Sequence, residues 1–198
     1  MADTPPPPSG PFKRNTNYRN RKRQQTKLVL SLIAVLLLTQ SISAQTAPIA
    51  LQPPKDQVLL LHLKGKGNQI YVCQSSSGVT AWKLKAPDAK LYGETGELVG
   101  RHFAGPTWES TDGSSRVVAK IIASAPSPDS QSIPWLLLTM VSTSDKGIFS
   151  KVQSIQRLET KGGVAPSTTC TENEEKAVPY EAAYYFYGEP QPAAGNSR

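Results

Sequence analysis

From Gln57 onward the chain never sustains a helical period: short runs rich in Val, Ile, Leu, Thr and aromatic residues are broken repeatedly by Gly, Pro, Asp and Ser. Alternation of apolar and polar side chains suits a strand, whose successive residues point to opposite faces, and the interrupting residues supply turns. That pattern predicts an antiparallel β domain. Residues 57–64 and 69–74 flank Gly65-Lys66-Gly67-Asn68, which reads as a hairpin loop because glycine reaches positive φ without strain. Residues 79–86 alternate, with Trp82, Leu84 and Ala86 on an expected core face and Lys83 and Lys85 in water; Ser75-Ser76-Ser77-Gly78 before them reads as a turn. Residues 89–92 and 98–103 bracket Gly93-Glu94-Thr95-Gly96-Glu97, a second hairpin, and Thr111-Asp112-Gly113 separates Trp108 from a strand at 116–123.

Three prolines between Ala125 and Trp135 make residues 124–134 a connection. Residues 133–143 are apolar on both faces, Trp135 and Leu137 on one and Leu136, Leu138 and Met140 on the other. Such a run is a central strand buried on both sides or a buried helix, and its β-rich neighbours and leading proline favour the strand. A strand at 149–159, an irregular stretch at 161–179 and a last strand at 183–187 follow. About nine strands with local hairpins make a single antiparallel β-sandwich or a closed β-barrel, between which periodicity does not choose.

The formal charge of +7 does not belong to this domain. Lys13, Arg14, Arg19, Arg21, Lys22, Arg23 and Lys27 precede residue 28 against Asp3 alone, whereas 15 basic and 14 acidic residues follow from Gln45. A nearly neutral body excludes a polybasic nucleic-acid-binding domain. Basic residues, then the apolar run 28–38, then Ser41-Ile42-Ser43-Ala44 are the parts of a secretory signal peptide, with cleavage expected after Ala44. As a helix that run spans roughly 16 Å, too short for the ~30 Å of bilayer hydrocarbon, so contact with a membrane is confined to this segment if it stays uncleaved. The expected organisation is a leader over 1–44, a linker over 45–56, the β domain over 57–188 and a disordered tail over 189–198. The protein is thus read as secreted, or held in the periplasm or cell envelope. Cys73 and Cys170 both fall in the exported part, and an even pair there reads as a disulfide, with two free buried thiols as the alternative.

Several strings resemble a secreted family known only as domain of unknown function 3455: Ile70-Tyr71-Val72-Cys73, Ala81-Trp82-Lys83-Leu84-Lys85-Ala86-Pro87-Asp88-Ala89, and the run from Gly100 to Glu109. Lys161-Gly162-Gly163-Val164-Ala165-Pro166 ahead of Cys170 and Tyr184-Tyr185-Phe186-Tyr187-Gly188 extend the likeness, which runs over roughly residues 49–188. It implies an exported β-rich domain with both cysteines in the family pattern. It implies no activity.

Candidate ligand-binding residues cluster in one hairpin and its loop: Arg101, His102, Trp108, Glu109 and Asp112. Trp108 offers a face for stacking on a sugar ring while the others hydrogen-bond, although strand alternation sends Arg101 and His102 to opposite faces. Tyr185 and Tyr187 on one face of the last strand, or Tyr184 and Phe186 on the other, offer a second aromatic platform. The leading functional reading is a non-catalytic module that binds a glycan or another envelope component, for which Trp108→Ala should weaken binding and spare folding. A hydrolase using His102 with Glu109 or Asp112 is the alternative from another class, and a self-associating structural protein the third. No Gly-x-Ser-x-Gly elbow, dinucleotide fingerprint or phosphate loop occurs, and two histidines, His62 and His102, cannot build a multi-histidine metal site. No cofactor is expected. His62, in an apolar run, reads as a core or interface residue.

Overall fold

A computed structural model describes residues 46–190; the expected leader and the last residues of the tail lie outside the described residues. Eight strands follow a short 3₁₀ turn at Ile49–Leu51: β1 (Val58–Ser76), β2 (Val79–Tyr92), β3 (Leu98–Phe103), β4 (Thr107–Ser110), β5 (Arg116–Ala125), β6 (Trp135–Thr143), β7 (Val152–Gly162) and β8 (Glu175–Gly188). Each pairs antiparallel with the next. β1 also pairs with β8, from Val58 opposite Gly188 to Val72 opposite Glu175, so the single sheet closes into a barrel and is not a sandwich.

The expected count of nine changes for a physical reason. β1 runs unbroken through Gly65 and Gly67, and neither glycine has positive φ. A Cβ on Gly65 would stand 2.5 Å from Tyr184 Cε2, and one on Gly67 would stand 2.2 Å from the Asp88 carbonyl. These glycines let β1 approach β8 and β2 closely, a second use of glycine that a local sequence window does not separate from a turn. The first turn is instead Ser77-Gly78, with φ of 50° and 79°, which suits a tight two-residue hairpin. Residues 79–86 and 89–92 then merge into β2, while Trp108 gains a short strand of its own, β4. β8 begins at Glu175, inside the stretch expected to be irregular.

Inside the ring Leu63, Leu91, Trp108, Phe149, Ile155 and Phe186 form one core. Residues 133–143 are a strand buried on both sides, as the double apolar pattern predicts. Leu136 and Leu138 face the interior, and Trp135 and Leu137 are covered from outside by Leu51. The segment before β1, expected as a linker, therefore carries a fully buried leucine, and Gln156 Nε2 fixes it by donating to the Leu51 carbonyl at 2.5 Å.

The two ends of the ring differ. At the end holding the β2–β3, β4–β5 and β6–β7 connections, Phe149 is fully buried; its N–H donates to Ser115 Oγ and its carbonyl accepts from Thr143 Oγ1. That end is stoppered. Toward the other end β3 and β4 stop early. β2 pairs with β3 only over Ala89–Tyr92, and β4 with β5 only from Thr107 opposite Val118 to Glu109 opposite Arg116. Above them the first half of β2 and the last half of β5 have no strand between them, leaving a window in the wall. Leu84, expected in the core, is 54% exposed at this window, as is Ile121 across from it. The alternation of β2 is real, but the shift of register at Ile70/Tyr71 and the missing neighbour leave its upper half without a core beneath it.

Candidate binding site

The β3–β4 hairpin splits four of the five candidate residues by strand parity. His102 opposes Trp108, and Arg101 opposes Glu109. The first pair turns inward: the rings stack 4.2 Å apart, with Tyr184 edge-on to both, and both residues are almost wholly buried. The second pair turns outward. Arg101 Nε and Nη2 donate to Glu109 Oε1 at 3.0 and 2.5 Å, and Arg116 Nε donates to Oε2 at 2.6 Å. The two guanidiniums roof the carboxylate and hold its pKa below the usual value, but they are themselves half exposed, so this is a screened surface cluster. Asp112 belongs to the β4–β5 turn at the stoppered end, where it accepts from Ser110 Oγ and from the Ser114 N–H and hydroxyl. Those hydrogen bonds keep its carboxyl down at about 2. Thus His102 and Glu109 lie on opposite faces, and Asp112 caps a turn.

Inward from the window lies a pocket of 330 Å³. Three prolines, Pro87, Pro106 and Pro134, and the aliphatic side chains Leu84, Ile121, Leu136 and Leu138 wall it, and His102, Trp108 and Tyr184 form its floor. Gln69 and Arg157 also line it, and the lining contains no Asp or Glu. Gln69 is 1% exposed, yet among the described residues neither its amide nitrogen nor its amide oxygen has a hydrogen-bond partner, and the Trp108 indole N–H lacks one too. Unpaired buried polar groups cost roughly 1–3 kcal/mol each, so a native pocket that holds three of them has a use for them. Arg157 Nε and Nη2 both donate to the Pro134 carbonyl, and among the described residues no carboxylate pairs with it.

His102 is held neutral. Burial pushes its pKa down to about 3, against the opposing pull of the hydrogen bond from Nδ1–H to the Thr107 carbonyl at 2.9 Å, and the Arg157 charge lowers it further. A histidine in the unfolded chain titrates near 6.5. Between those values the unfolded state binds a proton that the folded state refuses, so stability is full above about pH 6.5 and falls as the pH drops, by up to ~1.4 kcal/mol per unit. Urea melts at about pH 7 and about pH 5 should show that loss in the wild type, with one proton's share of it gone in His102→Phe. An identical pH slope in the two proteins would contradict a buried neutral imidazole.

The β7–β8 connection is tied to the upper parts of β1 and β2. Cys73 and Cys170 form the disulfide, 97 residues apart, and Cys73 exchanges backbone hydrogen bonds with Asn173 and Glu174. Tyr71 Oη donates to the Gly163 carbonyl, and Trp82 Nε1 donates to that of Thr168. A protein-family model described as Protein of unknown function (DUF3455) matches residues 53–188, most of the chain and all eight strands. The chain belongs to that family. No curated protein and no solved structure matches it.

For this DUF3455 member the aromatic strand resolves by parity as well. Tyr184 and Phe186 are fully buried inside, whereas Tyr185 and Tyr187 face out, their hydroxyls donating to Glu159 and Gln156. His62 is also on the outer face, half-buried against Tyr185 with its Nδ1 on Glu94, and not in the interior core. Sequence reasoning passed over Gln69 and Arg157 as site residues, and offered Tyr184 only as part of an aromatic platform. A signal for the first two exists: Gln69 shares strand parity with buried Tyr71 and Cys73, and Arg157 with buried Ile155, so each is a polar residue at a core position.

Proposed function

We propose that this DUF3455 protein is an exported, non-catalytic binding protein that takes a small, largely apolar ligand into the pocket beneath the β2–β5 window. The observation that carries this reading is the pocket itself: aliphatic walls around buried polar atoms that nothing among the described residues satisfies. Concave, mostly apolar sites with a few fixed polar groups are how proteins hold small molecules, and an eight-stranded barrel has room for one. Export to the periplasm, cell envelope or medium is supported by the disulfide, which suits an oxidising compartment, and by the leader pattern in the sequence. Against catalysis stands the dispersal of the titratable groups, His102 inside, Glu109 outside and Asp112 in a turn. A glycan stacked on Trp108 is the weaker form of the binding reading, because His102 already covers that ring and its residue is 1% exposed.

The test is a fluorescence titration of the disulfide-bonded protein with N-phenylnaphthylamine, an uncharged apolar fluorophore. Saturable binding at one site per chain is expected, with quenching of tryptophan emission. Leu84→Glu with Ile121→Glu should weaken it about tenfold or more by placing charge at the window, and both positions are exposed enough to leave the fold intact. Saturation by an oligosaccharide panel, insensitive to the window variants and without any apolar binding, would overturn the proposal.

A further inference from the structure

The pocket's polar groups are not neutral in their demand. Arg157 brings a full positive charge to a lining that contains no carboxylate, and among the described residues no ion pair neutralises it. Trp108 Nε1 and Gln69 Nε2 are donors without acceptors among the described residues, each on a residue 1% exposed. The lining's one charged group is positive. The reach of that charge is visible in its neighbours: burial is the main influence on Tyr71, Tyr180, Tyr184 and His102, and in all four the Arg157 charge acts as well, lowering the pKa.

Placement orders these groups. β3 and β4, below the window, lie across the ring from β7 and β8 in the closed strand order, and Arg157 is on β7 with Tyr184 on β8 and Gln69 on β1. Arg157 therefore sits on the far wall, Gln69 on the strand beside β2 and Trp108 beneath the window, while the apolar residues Leu84 and Ile121 sit at the entrance. The aromatic rings of the floor are already packed against one another, which leaves proline and aliphatic side chains as the walls a ligand meets.

Resting on the binding reading above, we propose that the ligand is an aliphatic carboxylic acid. Its carboxylate lies at Arg157 and Gln69 Nε2, and its hydrocarbon chain runs across the pocket to the window between β2 and β5. A guanidinium matches a carboxylate through paired N–H groups, and a charge-assisted pair in an apolar site is stronger than one in water. Gln69 Oε1, an acceptor, is met by water carried in with the headgroup. Uncharged Gln69 thereby completes a headgroup site at a position where leucine would serve packing better.

The experiment compares decanoate, decanol and decylamine, which share a tail, by calorimetric titration of the full disulfide-bonded protein at neutral pH. Decanoate is expected to bind at least about tenfold more tightly than decanol, and decylamine more weakly than either. Arg157→Gln should bring decanoate to the level of decanol and leave decanol unchanged. Gln69→Leu should weaken decanoate while the protein melts at the same temperature or higher, a combination that a structural glutamine would not give. Equal binding of decanoate and decanol, or an acid preference that survives Arg157→Gln, would overturn the headgroup assignment while N-phenylnaphthylamine still binds. Loss of that probe's binding as well would remove the pocket reading with it.

Discussion

Trp108→Ala is expected to destabilise the protein by about 3–5 kcal/mol, a large share of the ~5–15 kcal/mol that holds a domain of this size together. The indole is 1% exposed, stacks on His102, and meets Tyr184 and Phe186 edge-on, so its removal opens a void at the centre of the ring and strands an imidazole that cannot charge. Urea denaturation should show a lower midpoint with little change in slope. Trp108→Phe, which keeps a ring against His102, should recover much of the loss. A midpoint that does not move in Trp108→Ala would mean that the ring is not packed as described. Because the residue is both floor of the pocket and core of the barrel, loss of binding in this variant does not by itself locate a ligand, and the window residues Leu84 and Ile121 are the cleaner probes.

Reducing the Cys73–Cys170 bond, or replacing both residues by alanine, is expected to cost about 3–5 kcal/mol, since the bridge closes a loop of 97 residues and so restrains much of the unfolded chain. Melting with and without reductant should show a fall in midpoint of well over ~5 °C for a domain of this length. The loss should be uneven across the molecule. The connection from Gly163 to Glu174 is held to β1 and β2 by the bridge, by the backbone bonds of Cys73, and by the hydrogen bonds of Tyr71 and Trp82. Amides 164–174 should therefore lose hydrogen-exchange protection first, before those of β6 and β7. Coincident melting of reduced and oxidised protein would deny the bridge this role.

Much of this fold is legible in the sequence because strand alternation is a local signal. The double apolar face of 133–143 and the split of Arg101 from His102 and of Tyr184 from Tyr185 follow from parity alone, and the Ser77-Gly78 turn from its residue types. What parity lacks is partnership. Gly65 and Gly67 read as a turn because their purpose, room for Tyr184 and for the Asp88–Ala89 backbone, lies more than twenty residues away along the chain. Leu84 reads as core because nothing local says that β3 stops short of it. The pocket was hidden for the same reason. Gln69, Arg157, Leu84 and Ile121 come from β1, β7, β2 and β5, and only closure of the sheet brings them round one space.

The pairing of β1 with β8 also sets the order in which the chain completes itself. Val58 finds its partner in Gly188, at the opposite end of the domain, so the final seam joins residues with nearly the largest separation the domain allows. Topologies dominated by such distant contacts fold slowly, since the entropy of bringing the ends together is lost before the seam repays it. Until Glu175–Gly188 is synthesised, the inner edge of β1 and the outer edge of β7 present unpaired N–H and C=O groups to any extended strand nearby, including another copy of the same nascent chain. The seam that leaves the finished barrel without a free β1 edge is thus the step at which an unfinished one is most exposed to aggregation, and a chaperone that delays collapse until the last strand has emerged would act there.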